Sequence, residues 1–129
     1  MTATAAAVAG GFGFLEAPRW HDHRIWFSDF YTHRVLSARE DGSDLRVEAS
    51  VPNQPAGLGW LRDGRLLVVS MRDRKVLRRE ADGTLVSHAD LGSCATGHTN
   101  DMVTDATGRH GLITSCDRRF PRGYRLLPR

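Results

Sequence analysis

Glu16, Asn100 and Asp101 are the residues of this chain best suited to chemistry: two carboxylates and an amide, each near the start of a short, mostly apolar run. Hard oxygen donors that converge on one point hold Ca²⁺ or Mg²⁺, and also admit Zn²⁺ or Mn²⁺. A cation so held acts as a Lewis acid on whatever oxygen it binds. Glu16 and Asn100 are 84 positions apart, so only the fold can bring them together.

Other constellations carry less. His21-Asp22-His23 looks like a metal-binding tripeptide, but it falls where a hairpin turn is required. Gly92-Ser93-Cys94-Ala95-Thr96-Gly97 lacks the Lys-Ser/Thr that follows a phosphate loop, and Gly11-Phe12-Gly13 lacks the third glycine and helix of a dinucleotide site. Trp20, Trp26 and Trp60 suit packing between sheets.

The positioning elements follow from a repeat. Trp20 to Ser28 lies over Leu61 to Val69 at an offset of 41 residues, Arg34-Val35-Leu36 over Lys75-Val76-Leu77, and Asp41-Gly42-Ser43 over Asp82-Gly83-Thr84. A period near 40 built of short strands and tight turns is the signature of a β-propeller blade. The first repeat predicts strands near 14–20, 24–29, 33–39 and 45–50; the second predicts them near 56–61, 65–70, 74–80 and 85–90. Asp-Gly pairs between them mark hairpins, because glycine accepts the positive φ such turns need. Ile25-Trp26-Phe27 and Leu66-Leu67-Val68-Val69 are apolar on both faces, as expected of a sheet buried between two others.

The fold expected is therefore all-β, a truncated portion of a β-propeller amounting to about two and a half blades. Residues 1–11 read as a flexible N-terminus, 12–50 as blade one, 51–92 as blade two and 93–113 as the start of blade three. Asn100 to Arg109 lies over Ala56 to Arg65 at an offset of 44, after which the register is lost. Residues 114–129 read as an off-pattern, Arg-rich tail, expected to arise from truncation or a change of reading frame. In a propeller the innermost strand of each blade lines the channel where ligands bind. The ungapped repeat makes Glu16, Gly57 and Asp101 equivalent on those strands, with Leu15, Ala56 and Asn100 one step before.

The chain's net charge of +3 is a property of its end. Residues 1–108 carry 12 Lys+Arg against 14 Asp+Glu, whereas the last 21 carry six arginines against Asp117. Basic residues are not spread over a face, which argues against nucleic acid as a partner. Cys94 and Cys116 have neither metal-ligand spacing nor a disulfide framework. No stretch has the length of a membrane span or the make-up of a signal peptide, and the expectation is a cytoplasmic protein.

Leu15-Glu16-Ala17-Pro18-Arg19-Trp20 with Ile25-Trp26-Phe27-Ser28-Asp29, then Gln54-Pro55-Ala56-Gly57-Leu58, then Asn100 to Arg109, resemble successive blade starts of the gluconolactonase, regucalcin (senescence marker protein) and luciferin-regenerating enzyme family. The resemblance covers residues 12–109. It implies a six-bladed propeller with a divalent cation in its channel, Ca²⁺ first and Zn²⁺ or Mg²⁺ as alternatives, and hydrolysis of a lactone or a related sugar-acid substrate. Glu16 would be a metal ligand and Asn100 a ligand or substrate contact, with His98 and Asp101 also assigned to substrate. His98 stands where many relatives have a substrate-binding arginine, and an imidazole does not replace a fixed guanidinium. The family's later ligands, an Asn and an Asp that is the expected base, have no counterpart here. The catalytic residue is accordingly unassigned, and the isolated chain is expected to be inactive. The alternative reading is a non-catalytic propeller fragment, a binding or assembly module that self-associates through an exposed blade face.

Overall fold

A computed structural model of the chain describes residues 2–93, 95, 97–106, 110–114 and 124–127. Two four-stranded antiparallel sheets follow one another. The first holds β1 (Leu15–His21), β2 (Arg24–Asp29), β3 (Arg34–Ala38) and β4 (Arg46–Ser50) in sequential order. The second holds β5 (Pro55–Trp60), β6 (Leu66–Ser70), β7 (Lys75–Arg79) and β8 (Leu85–Asp90) in the same order. Each is a propeller blade, and its strands fall within about a residue of the sequence expectation.

The turns repeat with the strands. Asp41 Oδ1 accepts hydrogen bonds from the Ser43 N–H at 2.9 Å and from its hydroxyl at 2.6 Å. Asp82 does the same for Thr84 at 3.0 and 2.6 Å. Gly42 and Gly83 have φ of +82° and +87°, the left-handed conformation that glycine adopts without steric cost. His21-Asp22-His23 is a turn, as expected: Asp22 and His23 have φ of 49° and 58°, as both central residues of a type I′ hairpin must.

A third sheet pairs β9 (Thr99–Thr104) with β10 (His110–Thr114), and β10 with β11 (Tyr124–Leu127). Strand pairing thus continues past the point where the repeat register is lost, since backbone pairing asks less of side-chain identity than the repeat does. Residues 115–123 and 128–129 of the tail, and both cysteines, lie outside the described residues. Among the described residues no helix is long and apolar enough to cross a membrane.

The apolar runs now have a cause. On β6, Leu66 and Val68 join Trp26, Val35, Ala49 and Val51 of the first blade in one core cluster. Leu67 and Val69 point the other way and join Ala56, Val76 and Met102 of β9 in a second. These four apolar side chains of β6 are fully buried, because a strand's alternate residues face opposite sides and both sides of this blade are covered. Ile25 and Phe27 lie on the first blade's outer face, where the N-terminal segment crosses: Phe12 meets Phe27 edge to face at 5.3 Å, and the Val8 backbone lies against Gly42.

Candidate functional site

The inner strands β1, β5 and β9 lie side by side, with β5 in contact with both others. Their pairing registers fix which residues are equivalent. Leu15 pairs with Asp29, Pro55 with Ser70 and Thr99 with Thr114. The partners Asp29, Ser70 and Thr114 keep the sequence offsets of 41 and 44, but Leu15 and Pro55 are only 40 apart. Glu16, Ala56 and Asn100 are therefore the equivalent set, followed by Ala17, Gly57 and Asp101. This corrects the ungapped alignment by one residue. The cause is the first hairpin, which has two loop residues in the first blade (His21 pairs with Arg24) and three in the second (the Leu61 N–H bonds the Arg65 carbonyl). Glu16 and Asn100, the carboxylate and the amide, thus hold the same position on inner strands two blades apart.

Each inner strand is bulged at that position, between Glu16 and Arg19, between Pro55 and Leu58, and opposite Ile113/Thr114. A bulge re-aims the side chains next to it, and Ala17 takes φ 51° to make the first one. Below, the buried Ser28 hydroxyl donates to the Ala56 carbonyl at 2.6 Å, tying the first blade to the bulge of the second. Asp29, fully buried, accepts from the Gly13 N–H at 3.0 Å and the Phe14 N–H at 3.0 Å. Burial pushes the Asp29 carboxyl up, but these bonds and others from Thr32 outweigh it and hold the group below the ordinary carboxylate range.

Glu16 is half-buried, and its carboxyl is pushed up by burial first and by the neighbouring Asp101 carboxylate second. No ion pair to Glu16 occurs among the described residues. Glu16 also borders a cavity of about 300 Å³ beside Phe12, Leu15, Ile25 and Phe27 on the first blade's outer face. Asp101 is differently placed. Its Oδ1 accepts from Arg19 Nη2 at 2.8 Å and from the Met102 N–H at 2.8 Å, so its charge is paired with that guanidinium. His98 is exposed just before β9, and Thr99 beside it is fully buried with its Oγ1 unpaired among the described residues.

Sequence reading missed Arg19, Ser28 and the reason for Gly57. Arg19 has no arginine at the matching position in the other blades, and contacts between blades leave no periodic trace. A Cβ on Gly57 would stand 2.4 Å from the Met102 nitrogen and 2.8 Å from Asp101 Oδ1, so only glycine lets β9 approach β5 this closely.

The donor chemistry fits a divalent cation in part. A half-buried carboxylate without a cationic partner, matched in position by an amide, is a pair of hard oxygen ligands. No three His, Cys, Asp or Glu side chains gather among the described residues, so Asn100 is integral to any such set and further oxygens are needed to complete a shell.

A family model described as the SMP-30/gluconolactonase/LRE-like region matches residues 14–124. No curated protein sequence matches the chain. Among solved structures, the chain is similar to a gluconolactonase from Xanthomonas campestris, with 23% identity and a TM-score of 0.63 over 78% of this chain and 35% of that one. It is also similar to virginiamycin B lyase from Staphylococcus aureus (11% identity, TM-score 0.64, 81% of this chain and 36% of that) and to a luciferin-regenerating enzyme (13%, 0.62, 88% and 44%). The chain therefore spans less than half the length of each of these proteins. At these identities the likeness is one of fold, and a lyase on the same fold shows that the fold alone does not select the chemistry.

Proposed function

The chain belongs to the SMP-30/gluconolactonase/LRE-like family, and from that premise we propose that it carries part of the site of a divalent-cation-dependent lactone hydrolase. The observation that carries the reading is the shared register of Glu16 and Asn100 on inner strands two blades apart.

In this reading Glu16 supplies a charged oxygen and Asn100 a neutral one to the cation, with Ca²⁺ the first choice and Zn²⁺ or Mg²⁺ the alternatives. When bound, such an ion polarises the lactone carbonyl and acidifies a water. Hydrolysis of a lactone adds water at the carbonyl carbon and opens the acyl C–O bond of the ring to give a hydroxy acid. Glu16 helps by being half-buried and unpaired, so that its charge is directed to the cation and not spent on a neighbouring arginine. His98, exposed at the entrance to β9, is assigned to substrate contact, and an imidazole there favours lactones that do not depend on a guanidinium for recognition.

Calorimetric titration of the 129-residue chain with Ca²⁺ and with Zn²⁺ tests the assignment. Uptake of one ion by the wild type and its loss in Glu16→Ala is the result expected. Equal uptake by both proteins removes Glu16 from the site. A pH-stat assay with gluconolactone measures turnover directly, and the isolated chain is expected to be slow or inactive because two ligands hold such an ion weakly.

A second reading is favoured by the first blade's outer face. The cavity beside Phe12, Leu15, Ile25 and Phe27 is lined mostly by carbon, and in this reading the chain is a non-catalytic module that assembles through that face. Sedimentation at increasing concentration separates the two, because the hydrolase reading requires no self-association.

A further inference from the structure

The blades are separate sheets, so no backbone ladder fixes the distance between one inner strand and another. That distance is left to packing and side-chain contacts. Arg19, three residues after Glu16 on β1, crosses to β9 and ends on Asp101, the residue after Asn100. Its Nη2 donates to Asp101 Oδ1 at 2.8 Å and to the Met102 carbonyl at 3.0 Å, while its Nη1 donates to the Pro18 carbonyl at 2.9 Å. Both side chains are partly buried, at 27% and 37% exposure, where an ion pair is less screened than at an open surface. The Met102 N–H holds the same Asp101 oxygen from the other side. Gly57 of β5 lies beneath, with no side chain to part the strands.

We propose that Arg19 is a positioning residue, with Asp101 as its anchor, and that their ion pair sets the separation of Glu16 from Asn100. The proposal rests on the reading of Glu16 and Asn100 as cation ligands and deepens it. It also reassigns Asp101, whose Oδ1 is committed to the clamp and whose charge is met by Arg19, from substrate contact to support. A planar guanidinium suits the role because it reaches a carboxylate and a carbonyl from one fixed fork. Lysine keeps the charge without the fork. Methionine keeps the apolar stem without the charge.

The test compares wild type, Arg19→Lys, Arg19→Met, Asp101→Asn and Glu16→Gln in the 129-residue chain. Ca²⁺ and Zn²⁺ affinity is read by calorimetry, and the β9 amides Asn100, Asp101 and Met102 by NMR. Arg19→Met and Asp101→Asn should each weaken the cation about tenfold or more, the scale seen when a ligand's outer support is removed. Arg19→Lys should lose less. Glu16→Gln should lose the cation but leave the Met102 amide resonance in place. An Arg19→Met protein that folds and binds the cation as wild type does overturns the proposal. If the wild type takes up neither cation, the ligand reading of Glu16 and Asn100 fails. The clamp is then judged on the amides: Arg19→Met must displace the β9 resonances where Arg19→Lys largely preserves them, and unchanged resonances overturn it.

Discussion

Gly57 and Asp101 touch across two blades so closely that the smallest side chain at position 57 would overlap the β9 backbone, with contacts of 2.4 and 2.8 Å. The neighbour is main chain, which cannot swing aside. Gly57→Ala should therefore force β5 and β9 apart and destabilise the protein by about 1–3 kcal/mol, the usual range for overpacking. Gly64→Ala, in a loop where nothing lies within 4 Å of the new methyl, meets only the conformational penalty of a positive φ. Urea midpoints of the two variants check this, and an equal loss in both would show that the close approach carries no special cost.

Asp29 predicts the acid limb of the stability curve. Its folded carboxyl lies below the ordinary carboxylate value, because N–H donors from Gly13, Phe14 and Thr32 outweigh burial. A group with a depressed folded pKa stabilises fully above its unfolded value, and that stability is lost as pH falls through the folded one. Asp29→Asn should cost about 1–3 kcal/mol near neutrality, the cost of leaving buried donors poorly met. The gap from wild type should narrow as pH falls below about 4, the ordinary Asp pKa. Thermal midpoints measured from pH 7 down to pH 3 that keep a constant gap would count against the assignment.

Glu16 has the opposite sign. Burial and the Asp101 carboxylate raise its pKa, so the folded state holds the proton more tightly than the unfolded one. Ionised Glu16 then detracts from stability once pH rises through the raised value, and the penalty is absent below the unfolded one. In the absence of metal, Glu16→Gln should raise the melting temperature at pH 7 and have little effect at pH 3. A lower melting temperature at pH 7 would mean that Glu16 has a stabilising partner. A gain in stability on removing a charge marks a residue kept for binding and not for folding.

The two faces of β6 give a matched pair of core tests. Leu66 and Leu67 are both fully buried, one in each cluster. Leu66→Ala and Leu67→Ala should each cost about 2–5 kcal/mol, the range for deleting a buried leucine side chain. Chemical denaturation reads both. A small loss at Leu67 alone would show that the face toward β9 is loosely packed.

Glu48 and Arg79 form the ion pair between the first two blades at 2.8 Å, with Ser37 donating to the other Glu48 oxygen at 2.6 Å. Arg79→Met should destabilise by about 1–3 kcal/mol, because a partly buried carboxylate then lacks its cation. The double variant Arg79→Met/Glu48→Gln should recover part of that loss. A double variant whose loss equals the sum of the two singles would rule out direct coupling between them.

Much of this fold could be read from the chain. Asp41-Gly42-Ser43 and Asp82-Gly83-Thr84 announced identical loops, and the unbroken apolar run of β6 announced a sheet covered on both sides. The equivalence of the site residues was misread by one position. A hairpin that gains one residue between Trp60 and Leu66 keeps every later strand in register while sliding the inner strand before it. An ungapped comparison places Glu16 over Asp101 and hides its match with Asn100. Arg19 left no mark at all, since its partners are 82 and 83 residues away and its counterparts in the other blades are Gly59 and Val103.

The double-sided burial of β6 means that no single blade of this chain is a folding unit. Half the apolar load of that strand is unmet until the preceding sheet docks, and the other half until β9 arrives. Order should therefore spread outward from the middle blade as neighbours are added. Under native conditions, the amide protons of β6 should be the last to exchange with solvent.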